Sequence, residues 1–369
     1  MKPLIRLFGL ASAAVFAAGC ASGRGAGGTG TTTGAGAGQI PTPSIIWPVK
    51  TREHVDLWLH GYALLQEDTT FVPFFRRGYS TDLTVLKNRA NVITQLDANR
   101  DRLRARLATN PQLVNAQFVP LAFSTWNELS SAVDLFVRSN GDPRAASSQQ
   151  QAGAIAFLAA YFQTGADRDW LRLFVQALDD ESNKFYHSYW LQQQRERSNV
   201  LELVDSQWQH TYRPRMQAFL NNTQQAQGTM LLSLPLDGEG RSVSSGKQSN
   251  IITVTFPERP NDAVEAIYVF AHEAVGSLAS TAVNDNITPE QRRTGLGERY
   301  QSSAAVRAGA LLIQRTSPEI LDGYMRYYLR SVNRPAGANL QATFNSTFAI
   351  TDTIRDAITR QLDVVLGGI

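Results

Sequence analysis

The chain has 369 residues, with 35 Lys plus Arg against 32 Asp plus Glu and a formal net charge of +3. That length is enough for one sizeable core, or for two lobes sharing one. The near balance of charge leaves no basic stripe of the kind a nucleic-acid surface needs. Cys20 is the single cysteine, which excludes an intramolecular disulfide and any metal site built on cysteines.

Lys2 and Arg6 begin a positive segment, residues 7–18 are apolar, and the run ends Ala17-Ala18-Gly19-Cys20. This pattern is a secretory signal. It resembles the bacterial lipoprotein signal, with Ala17 where leucine usually stands. The resemblance implies removal of residues 1–19, a lipid on Cys20, and attachment to a membrane of the cell envelope, outer or periplasm-facing. An ordinary secretory signal with an incidental cysteine is the plainer alternative. Residues 21–38 are nearly all Gly, Ala, Thr and Ser, so residues 20–44 read as a flexible tether. Residues 45–369 then form one mainly helical domain with a small β-hairpin or sheet, divisible into lobes 45–225 and 226–369.

Residues 51–66 carry Val55, Leu59, Tyr62 and Leu65 at helical spacing, with His54 and His60 on different faces. Residues 80–108 form the next helical stretch. Its Arg100, Arg102, Arg104 and Arg106 read either as an anion patch or as a solvated face paired with Asp97 and Asp101. Further helices cover 111–137, 149–163, 169–197 and 199–221, the last with Trp208 and His210. The 169–197 stretch holds Trp170, Phe174, Phe185, Tyr186, Tyr189 and Trp190. At helical spacing these rings belong to a core, or, on a surface, would stack on a sugar polymer.

Residues 229–236 and 250–256 change the pattern to short β-branched strands, expected to pair as a hairpin across a long turn-rich loop. Pro235 suits an edge strand. Residues 262–284 follow as a helix with no polar face, which belongs in a core. Its exceptions are Glu265, His272 and Glu273, and a carboxylate there is costly unless paired, protonated or near a metal. Thr288-Pro289-Glu290-Gln291 is a capping-box helix start. Residues 299–314, a helix starting at Ser317-Pro318 with Tyr324, Tyr327 and Tyr328 facing inward, and residues 351–366 complete the chain.

His272-Glu273-Ala274-Val275-Gly276 is an HExxH zinc motif without its second histidine. Across residues 229–314 the order of elements resembles zincin metallopeptidases of the gluzincin branch. The resemblance makes residues 250–256 the strand edging the cleft and 262–284 the motif helix. It also implies a zinc-dependent peptidase-like hydrolase, active or degenerate. Zinc would sit on His272 and Glu298, with Glu273 as general base. Gly276 offers no ligand, and His54, His60, His187 or His210 would have to replace it. A metal-free alternative pairs Arg307 with Glu273 or Glu265, while His272 donates to a carboxylate or carbonyl. A third reading is a non-enzymatic envelope protein holding a peptide or cell-wall polymer on the rings at 170–190.

Overall fold

A computed structural model describes residues 46–66, 68, 70–244 and 246–367. The expected signal, Cys20 and the expected tether lie outside the described residues. The described chain is mainly helical with one small mixed sheet. Its strands are β1 (Val49–Lys50), β2 (Gly228–Ser233), β3 (Arg241–Ser244) and β4 (Asn250–Thr255), in the order β1-β2-β4-β3. β1, β2 and β4 run parallel, and β3 runs antiparallel to β4.

The expected hairpin of the two apolar strands is therefore corrected: β2 and β4 are parallel neighbours, Gly228 opposite Asn250. The hairpin partner of β4 is β3, formed from the segment that reads as turns. β4 lies inside the sheet, so the edge strand is β3 and not residues 250–256. The reason is burial. An inner strand is covered on both faces, as nearly all of β4 is, whereas β3, Arg-Ser-Val-Ser, is half-buried along Arg241–Val243 and exposed at Ser244.

Alternation along the sheet makes it the wall between two cores. Met230, Leu232, Leu234, Ile252, Val254 and Phe256 pack into one. Leu231 and Leu236, with Val243 and Ile251 at the margin, pack into the other. The first-lobe core spans Val55 to Tyr186. The second gathers Val200 to Leu362, with Trp47 and Val72 reaching across. Val200, Val204 and Trp208, which precede residue 225, belong to this second core.

The ring-rich stretch is core. Trp170 stacks on Phe174 at 4.8 Å, and Trp170, Phe174 and Tyr186 are buried. Phe185, Tyr189 and Trp190 are largely covered. Its helix is interrupted by a π turn at Ser182–Tyr186. A sugar-stacking row on this face is not what the packing provides.

The apolar helix is two helices, Glu265–Ala274 and Gly276–Asn286, bent by 42°. The break coincides with the Gly276-Ser277 pair, where helices commonly kink. Although this bent pair has the length and composition of a membrane span, most of it is buried in the second core. No single helix among the described residues is long and apolar enough to cross a membrane. The helix Leu296–Thr316 packs against both halves. A Cβ at Gly309 would overlap the Tyr324 hydroxyl and lie 3.3 Å from the His272 Cα, so glycine permits that approach.

Candidate functional site

The segment Asp237-Gly238-Glu239-Gly240, between β2 and β3, builds the surroundings of the His-Glu helix. Residues 73–74 hold it from outside: the Asp237 amide donates to the Phe74 carbonyl at 2.8 Å and the Glu239 amide to the Pro73 carbonyl at 3.0 Å. From inside, the Tyr328 hydroxyl donates to the Gly238 carbonyl at 3.1 Å. The Tyr327 hydroxyl donates to Asp237 Oδ1 at 3.3 Å. A Cβ on Gly240 would collide with the Thr253 carbonyl. Glycine there brings its amide to Glu273, where N–H donates to Oε1 at 2.9 Å.

His272 Nδ1 is 3.0 Å from the same Glu273 oxygen. The imidazole lies flat against Tyr328, with ring centres 5.4 Å apart. Its other nitrogen, Nε2, is buried and has no hydrogen-bond partner among the described residues. Glu239 accepts from the Ser302 hydroxyl at 3.3 Å. Burial opposes charge on His272, but the bond to Glu273 and the charges of Glu273 and Glu239 prevail and raise its pKa. Burial would raise Glu273, yet the His272 bond and charge and the Gly240 amide bring it below the usual carboxylate range. Glu239 is pushed up to about 7 by burial and by the Glu273 charge, against the pull of His272.

The remaining candidates lie elsewhere. Glu298 is exposed in the first turn of the Leu296–Thr316 helix. Gly309 is the residue of that helix against His272, so Glu298 starts roughly 16 Å away along the axis. Arg307 pairs with neither Glu273 nor Glu265, which corrects the metal-free alternative. It precedes Gly309 by two residues, about 200° around a helix, and lies over the Phe344 ring at 6.0 Å. Glu265 is paired with Arg330 at 2.6 Å.

The other histidines are also occupied. His54 Nε2 is 3.0 Å from the Phe123 carbonyl. His60 sits between Glu181 and Tyr79. His187 pairs with Glu53 at 2.8 Å, and His210 Nδ1 is 2.9 Å from the Ser206 carbonyl.

These residues do not fit a zinc centre. One free imidazole nitrogen is a single donor, Gly276 supplies none, and Glu298 is remote. Among the described residues no three His, Cys, Asp or Glu side chains converge as a bound metal ion requires. Glu239, Gly240, Ser302 and Tyr328 complete the cluster; the sequence reading places Tyr328 facing inward but assigns none of the four to the site. Their one sequence signal is an acid between two glycines immediately after an apolar strand. In comparisons with protein-family models, curated proteins and solved structures, none matches the chain.

Proposed function

We propose that this chain is an exported lipoprotein, anchored through Cys20, whose second lobe has a zincin-like layout and serves the envelope by binding rather than hydrolysis. The order antiparallel edge strand β3, β4, His-Glu helix and Leu296–Thr316 helix supports that layout. One observation carries the non-hydrolytic part: Glu273 Oε1 is taken by the Gly240 amide and by His272 Nδ1. Both bonds fall on one oxygen and fix the carboxylate's orientation, and among the described residues no set of metal ligands converges beside it to hold the water on which a general base would act. Here the carboxylate ties the helix to the 237–240 segment.

Metal analysis and peptide hydrolysis by the purified full chain, beside Glu273→Gln and His272→Ala, test this. The expected result is substoichiometric zinc and no hydrolysis that Glu273→Gln removes. Stoichiometric zinc lost on His272→Ala would overturn it. Cys20→Ser tests the anchor separately: the expected result is release from the membrane fraction or failure of processing. Unchanged fractionation and processing would refute lipidation alone.

A further inference from the structure

A pocket of about 160 Å³ opens between the helices Leu296–Thr316, Leu321–Ser331, Leu340–Thr347 and Asp352–Val365. We propose that it binds a small monocarboxylate with an apolar body, the carboxylate resting on Arg307. The site is separate from the His272 cluster and independent of the function proposed above.

Arg307, Ala310 and Leu311 follow helical spacing on one wall, and Met325, Phe344 and Ile358 face them. The volume is close to the roughly 150 Å³ of an apolar cavity that accepts benzene. The apolar part of the lining suits an apolar ligand body, while Gln314, Gln341, Thr359 and Arg355 line the pocket as well. Arg307 is partly buried and lies over the Phe344 ring. Among the described residues it has no hydrogen bond and no ion pair. Burial and the nearby Arg355 both disfavour its charge.

Its neighbours differ. Arg355 is bonded to Asp352 at 2.7 Å and to Asp356 at 2.9 and 3.0 Å. Arg315 is paired with Asp363 at 3.0 Å. The pocket therefore presents one unmatched positive charge. A guanidinium takes a carboxylate through paired hydrogen bonds. One unmatched charge selects a monoanion, since a dianion would leave a second charge uncompensated against an apolar wall.

Calorimetric titration of the full chain at fixed ionic strength, with benzoate, benzamide and inorganic phosphate as probes, tests the assignment. Benzoate is expected to bind at least about tenfold tighter than benzamide and than phosphate, the value of one charge-assisted hydrogen bond. Arg307→Gln should weaken benzoate by at least about tenfold and leave benzamide unchanged. Arg315→Gln, which removes a paired charge outside the pocket, should leave benzoate affinity intact. Equal affinity for benzoate and benzamide, phosphate binding as tightly as benzoate, or indifference to Arg307→Gln would overturn the proposal. Should Arg307→Gln not fold, Ala310→Leu fills the pocket and keeps the charge. Benzoate binding must then be lost, and undiminished binding refutes the site.

Discussion

His60 with Glu181 in the first lobe, and His272 with Glu273 in the second, are both buried histidine–carboxylate pairs, but their surroundings differ. His60 Nε2 is 3.1 Å from Glu181 and Nδ1 is 3.1 Å from the Tyr79 hydroxyl, so both ring nitrogens are used. Glu181 also accepts from Lys87 at 2.8 Å and from the Thr94 hydroxyl. Lys87 further reaches Asp97 at 2.6 Å. Burial opposes the Glu181 charge, yet His60 and Lys87 bring its pKa down to about 2. That cluster carries its own counter-charge and joins four helical segments. In the second lobe His272 bonds to Glu273, Glu239 accepts only from Ser302, and among the described residues no lysine or arginine bonds to either carboxylate and His272 Nε2 has no partner. The first cluster is a finished clamp. The second has a charge state that depends on pH.

Cutting each clamp at its centre gives the largest contrast. Lys87→Met leaves Glu181 in the core with its lysine gone, and should cost about 3–5 kcal/mol, as broken buried pairs do. Glu273→Gln removes a charge but keeps an oxygen for the Gly240 amide, so its cost should be about 1–2 kcal/mol. Urea unfolding of the two variants measures both. A Lys87→Met cost at or below that of Glu273→Gln would erase the distinction between the clusters.

The pH dependence of stability should follow the raised carboxyls. Asp56, buried beneath Trp190, is raised from 3.8 to about 7 by burial, with the 3.0 Å bond from the Trp190 indole opposing. Glu239 is raised from 4.5 to about 7. A raised carboxyl binds more protons folded than unfolded, so stability falls as pH rises between the unfolded and folded values. The fall runs from about pH 4 to about pH 7 and amounts to at most about 4 kcal/mol for Asp56. His272, also raised, adds a loss as pH climbs through its folded pKa. Glu181 works oppositely, and its contribution is lost only as pH falls toward 2. Asp56→Asn and Glu239→Gln should each flatten the decline between pH 4 and 7. Denaturation midpoints across that range check this, and unchanged slopes in both variants would contradict it.

Legibility in the sequence followed the range of the interaction. The Thr288 capping box forms as its local pattern requires, and the His-Glu helix is core because no face is polar. Trp170, Phe174 and Tyr186 of the ring-rich helix are core because their helical spacing sets them on its buried side. Partners chosen by nearness in sequence fared worse. Asp97 reaches Lys87 rather than Arg100, and Arg106 bonds to Asp167 at 2.5 Å. β3 escaped notice because two serines beside glycines read as a loop until β4 lies alongside. Glu298 and Arg307 share a helix with Gly309, but axial distance and rotation, not sequence proximity, decide which residue meets His272. The acid between two glycines at 238–240 matters only once Gly240 meets the Thr253 carbonyl and Glu273.

The smallest expected effect comes from restoring the missing histidine. A Cβ at Gly276 meets nothing within 4 Å, so Gly276→His has room. Gly276 opens the second half of the bent pair, where replacing glycine should gain a few tenths of a kcal/mol in helix propensity. The i, i+4 geometry that brings two imidazoles to one metal assumes an unbroken helix. The 42° bend lies between positions 272 and 276. His272 also has Nδ1 committed to Glu273, and Glu298 is far down its helix. Gly276→His should therefore melt close to the native chain, and added zinc should shift its unfolding no more than it shifts the native protein. A zinc-dependent rise in the variant alone, abolished by adding His272→Ala, would mean that the second lobe lacked only one ligand. The difference between the two histidine clusters would then be a lost metal site rather than an open proton balance.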